Sequence, residues 1–139
     1  MPSEKRSAET FLRRHGMACA LTGMGILHFA KPQPFDGLIP PELPGNPRAW
    51  TYGSGVAELG VAGLLANPRT RRAGALSAVI LFIGVFPGNI HMVRAWKRKP
   101  VWPWKVIAWA RLPLQLPMIG AAWSIYNAEK RRDERGRTR

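Results

Sequence analysis

The chain has 139 residues, room for one domain, and carries 21 Lys and Arg against 8 Asp and Glu, for a net charge of +13. Its single cysteine, Cys19, excludes an internal disulfide, a CxxC dithiol and a cysteine-rich metal site. Excess Lys and Arg invite nucleic acid, but these basic residues border apolar segments, where anionic lipid headgroups would meet them, so no nucleic-acid partner is expected.

Mean hydropathy is slightly negative, −0.14, yet the charges are segregated, and only Glu58 and Arg111 fall in the interior of the long apolar runs. Residues 1–11 form a polar, basic segment, and the first apolar run covers about 12–30, with Arg13 and Arg14 placed to snorkel at its start. The run ends in His28-Phe29-Ala30-Lys31-Pro32, with no small-residue cleavage site, so the helix is expected to remain in the mature protein. Residues 31–49 hold six prolines and two glycines, which predicts a loop. A second run spans about 50–66, and Asn67-Pro68 closes it. The third, 73–93, has no Asp, Glu, Lys or Arg and matches the ~20 residues that cross a ~30 Å hydrocarbon layer. A fourth covers about 104–126, and residues 127–139 predict a solvated, disordered basic tail.

The expected fold is all-α: an integral-membrane four-helix bundle over 12–126, with a Pro-rich outer loop between helices 1 and 2. The N-terminus, the 67–72 connection and the tail carry 13 Lys and Arg against 7 in the other two connections, which places both termini in the cytoplasm and the protein in the plasma (inner) membrane. Trp96, Trp102, Trp104 and Trp109 suggest an aromatic belt at the outer interface.

Polar side chains in hydrocarbon cost a few kcal/mol each and seek one another. At ~1.5 Å of rise per residue, His28, Glu58, Asn89 and Arg111 all fall roughly 4–12 Å below the outer interface, one from each helix. The simplest cluster is a Glu58–Arg111 ion pair completed by His28 and Asn89, with Gln115 one turn deeper on the Arg111 face. Pro87 predicts a kink that frees the Ile83 carbonyl near Asn89, and Pro113 and Pro117 repeat the device in helix 4. Gly53, Gly55, Gly60 and Gly63 offer small faces for close packing, and the inner half reads as apolar. A pair that locks four helices in register would use the same residues as a small-molecule pocket, so both readings stand. No nucleotide, hydrolase or metalloprotease motif occurs, no self-contained catalytic motif is expected, and no metal site is assigned.

The succession GILHFAKPQPFDGLIPPELPG, SGVAELGVAGLLANPRTRRAG, VFPGNIHM and RLPLQLPMIGAAW resembles the DoxX-like family of small four-helix membrane proteins over about residues 15–125. The resemblance implies site positions at His28, Pro32, Phe35, Glu58, Pro87, Asn89, Arg111, Pro113 and Gln115. It also implies association with membrane oxidoreductases, or, for some relatives, a role in assembling other membrane proteins. The resulting expectation is a redox-associated accessory subunit that binds a quinone headgroup or another small polar ligand. The alternative is a non-catalytic assembly or stability factor in which the cluster is structural. The partners envisaged are the anionic bilayer, another membrane or redox protein, and further copies of the chain.

Overall fold

A computed structural model describes residues 2–97 and 102–138, and among them every regular element is helical. The elements are α1 (Pro2–Ala30), a single turn α2 (Gln33–Asp36), α3 (Pro47–Ala66), α4 (Arg71–Gly84), α5 (Phe86–Trp96) and α6 (Trp102–Arg137). Below, "outer" denotes the end carrying α2, and "inner" the opposite end.

Local chemistry sets the boundaries. Gly45, the one described residue with a left-handed φ (+90°), turns the chain into Asn46. The Asn46 side chain accepts from the Arg48 N–H at 2.8 Å, with Pro47 in the first turn of α3. At the other end of α3 the last carbonyls find side-chain donors. Thr70 Oγ1 donates to Leu64 O (2.9 Å), and Arg71 donates through Nε to Leu65 O (2.9 Å) and through Nη2 to Ala66 O (3.2 Å).

The long helices form an antiparallel ring in which α1 packs on α3, α3 on α4, α4 and α5 on α6, and α6 back on α1. Small residues make up half of the shared core: Ala18, Ala62, Ala75, Ala78 and Ala122 pack with Leu21, Val61, Leu65, Phe82 and Ile125. Two crossings need glycine. A Cβ on Gly55 would lie 2.8 Å from the Phe29 ring and 2.9 Å from His28 Cβ, and one on Gly74 would lie 2.7 Å from the Leu65 nitrogen. Many other large apolar side chains point outward, among them Ile26, Val56, Ile80, Ile83, Leu114 and Leu116.

Several expectations change. α1 begins at Pro2, so residues 2–11 belong to the first helix, and α6 runs to Arg137, so most of the supposedly disordered tail is helix. The proline-rich connection holds one helical turn, because Pro34 sits in the first turn of α2, where its missing N–H costs nothing. The third expected helix is broken at Val85, two residues before Pro87, into α4 and α5. Pro113 and Pro117 lie inside a continuous α6. Gly53, Gly60 and Gly63 face open space, leaving close packing to Gly55. Among the described residues, one of the four expected spans, Arg71–Ala95, is long and apolar enough to cross a membrane by length and composition. The glycines and Glu58 of α3, and the prolines, Trp109 and Gln115 of α6, dilute the hydropathy of the other helices.

Candidate functional site

The buried positions follow heptad-like spacing, so the polar residues at those positions are carried into the bundle. In α1 the inward residues are Ala18, Leu21, Gly25 and His28, and in α3 they are Thr51, Gly55, Glu58, Ala62 and Leu65. Because the two helices are antiparallel and close at Gly25 and Gly55, His28 meets Glu58, with His28 Nδ1 3.1 Å from Glu58 Oε2. Both residues are buried.

The contact is an ion-pair distance without a hydrogen bond. Nδ1 lies 2.8 Å from the Met24 carbonyl, which can only accept, so the Nδ1 proton is directed there. Among the described residues, Glu58 Oε2 is left buried with no hydrogen-bond donor. A bare carboxylate oxygen in such a place is costly.

α2 closes the site from above. The Phe35 ring stacks on the His28 imidazole at 3.9 Å between centroids and 24° between planes. Asp36 pins the turn: Arg48 grips its Oδ2 through both Nε and Nη2 at 2.8 Å, and Thr51 Oγ1 donates to its Oδ1 at 2.7 Å. These bonds, the Arg48 guanidinium first, hold the Asp36 carboxyl below its usual pKa despite partial desolvation. Phe29 stacks on Tyr52 at 5.2 Å, and Trp50 Nε1 donates to Pro44 O at 2.9 Å, fastening the loop on its other side.

A second polar centre joins α5 to α6. Gln115 is buried, accepts from Asn89 Nδ2 at Oε1 (2.6 Å), and donates through Nε2 to the Phe82 carbonyl. Phe82 lies in the last turn of α4, next to the break at Val85. The carbonyl served at the helix break is therefore that of Phe82, one residue before the expected Ile83.

At the inner end, Glu129 of α6 is buried and draws three arginines. Arg14 Nη1 is 3.4 Å and Arg71 Nη1 3.8 Å from its Oε1, and Arg132 Nη1 is 3.6 Å from its Oε2. Neighbouring Arg72 is engaged elsewhere, 3.3 Å from Asp133 and over the Tyr126 ring.

Of the residues selected from sequence, the fold thus brings together His28 with Glu58 and Asn89 with Gln115. The proposed Glu58–Arg111 pair rests on a side chain outside the described residues, as do the Trp96, Trp102 and Trp104 side chains of the aromatic belt. Among the described side chains, Glu58 makes its ionic contact with His28. Thr51, Asp36, Arg14, Arg71 and Glu129 were not selected from sequence. The inner half is accordingly not purely apolar. The signal for Glu129 was present: Gln115, Ala122, Ile125 and Glu129 share one buried helical face.

No curated protein and no solved structure matches the chain. A family model described as a domain of unknown function, DUF8561, matches residues 17–126, a stretch that includes His28, Glu58, Asn89, Arg111 and Gln115 and stops short of Glu129. With most of its length covered by that model, the chain belongs to the DUF8561 family.

Proposed function

We propose that the protein is a multi-pass membrane protein that binds a small polar ligand of the quinol or quinone type at the outer end, against Glu58 and beside the stacked Phe35 and His28 rings. The membrane reading is supported by the alanines that make up half of the core and by the many large aliphatic side chains exposed on the outside. It is further supported by Arg71–Ala95, whose most apolar window is only 22% buried within the protein. Charge asymmetry favours both termini in the cytoplasm.

The observation that carries the ligand reading is the buried Glu58 Oε2, which lacks a donor beside the imidazole. A quinol hydroxyl would supply that donor, and the stacked Phe35 ring suits a planar headgroup. In the proposed pose, Glu58 accepts the ligand hydroxyl. The redox association draws on the resemblance to the DoxX-like family, and a redox partner protein would exchange electrons with the bound headgroup.

Native mass spectrometry of the protein purified from its own membrane, with extraction and chromatography of bound lipids, tests this. A quinone that accompanies the wild type and is lost in Glu58→Gln, with helical content retained, is the expected result. A wild type without quinone refutes the ligand reading. If Glu58→Gln then also lowers thermal stability, His28 and Glu58 serve to lock α1 to α3, as an assembly or stability factor requires.

A further inference from the structure

Among the described residues, the inner cluster sets three arginines against one buried carboxylate. Arg14 from α1, Arg71 from α4 and Arg132 from α6 each place a guanidinium nitrogen within 4 Å of the single Glu129 carboxylate. The side chains of Arg71 and Glu129 are only 6% and 8% exposed, so little water screens the excess.

The three arginines have different amounts of capacity left. Arg71 already holds the Leu65 and Ala66 carbonyls through Nε and Nη2, so it is a fixed charge. Arg14 covers the Phe11 ring at 5.2 Å and reaches Glu129 through Nη1, but its Nε–H is buried with no acceptor. Arg132 is 66% exposed and forms the open side of the cluster. A leftover N–H donor, an uncompensated charge and an opening describe a place for one more anion. Guanidinium forks match the paired oxygens of phosphate and hold it by charge-assisted hydrogen bonds.

We infer that this cluster is a phosphate-binding site, in which Arg14 and Arg132 bind the phosphate oxygens, Arg71 supplies a fixed positive charge, and Glu129 orients the arginines. An anionic phospholipid headgroup and a soluble phosphate offer the same group. The headgroup source rests on the membrane reading above, whereas binding of soluble phosphate does not, so the two can fail separately.

The test uses the full chain in mild detergent. Retention of phosphatidylglycerol is measured by native mass spectrometry, and the effect of inorganic phosphate on thermal stability is measured alongside, for wild type, Arg14→Gln, Arg132→Gln, Glu129→Gln and Arg135→Gln. Loss of one charge-assisted contact should weaken binding about tenfold or more in Arg14→Gln and Arg132→Gln. Arg135→Gln, an equal change of net charge on the exposed end of α6, should leave it unchanged. Glu129→Gln keeps an amide oxygen that can orient the arginines but removes the competing negative charge, and should bind more tightly. Arg132 is exposed enough that its variant folds even if Arg14→Gln does not. Stabilisation by inorganic phosphate that is lost in Arg132→Gln identifies a site open to soluble phosphate. Phosphatidylglycerol retention without that response identifies a headgroup site. Equal losses in Arg132→Gln and Arg135→Gln, or no response to either probe in the wild type, overturn the inference.

Discussion

Replacing Gln115 by Leu separates the polar chemistry of the α5–α6 contact from its packing. The two side chains are similar in size, so the change removes the bond from Asn89 and the bond to the Phe82 carbonyl while leaving little cavity. Each bond contributes about 1 kcal/mol, and a buried carbonyl left without a donor adds about 1–2 kcal/mol, for a total of roughly 3–4 kcal/mol. Asn89 is only half-buried and can regain other partners, so it adds little. At about 3–5 °C per kcal/mol for a chain of this length, Tm should fall by roughly 10–20 °C. Differential scanning fluorimetry or circular dichroism in detergent reads this directly. Gln115→Glu sharpens the test, since an ionised carboxylate cannot donate to Phe82 but a protonated one can, so its deficit should shrink on acidification. A drop below about 3 °C for Leu, or a Glu deficit insensitive to pH, would refute the assignment of Gln115 as the donor that closes the helix break.

Backbone proximity gives a paired prediction. Gly55→Ala and Gly74→Ala should each lower stability by about 1–3 kcal/mol, because the added methyl meets Phe29 and His28, or the Leu65 backbone. Gly63→Ala, which faces open space, should raise it by about 0.5–1 kcal/mol; equal responses at Gly55 and Gly63 in thermal melts would contradict the close crossing. The Asp36 clip predicts a pH dependence. Its folded pKa is depressed, so the stabilisation it gives α2 is fully present above the ordinary value of 3.8 and is lost as pH falls through the lower, folded value. Hydrogen exchange of residues 33–51 should accelerate in that acid window in the wild type. In Asp36→Asn it should already be fast at neutral pH, and identical profiles for the two proteins would exclude the clip.

Much of the outer end was legible in the sequence because apolar runs bounded the helices and isolated polar residues stood out within them. His28, Glu58, Asn89 and Gln115 were visible for that reason, and the spacing that makes them inward-facing is the same spacing that brings them into contact. Their partners were less legible. Depth alone could not show that the closest approach of α1 and α3, set by Gly25 and Gly55, gives Glu58 to His28. The inner cluster was hidden by composition. Glu129 lies in EKRRDERGRTR, whose charge density reads as solvated chain, and only the continuation of the α6 buried face past Ile125 betrays it. Arg71 looked like one more interfacial cation, whereas its guanidinium is spent on the carbonyls that end α3.

The outer site has walls and a cover of different stiffness, and this difference has a kinetic meaning. His28 and Glu58 are held by two backbones in contact at glycines, which cannot part without breaking the α1–α3 crossing. Phe35 is held by a single turn whose main fastening is the half-exposed Asp36–Arg48 fork. A ligand at Glu58 would thus keep the same pose from one visit to the next, while its residence time followed the opening of that fork. Salt, which screens the fork but not the buried walls, would speed exchange in both directions and leave the bound geometry unchanged.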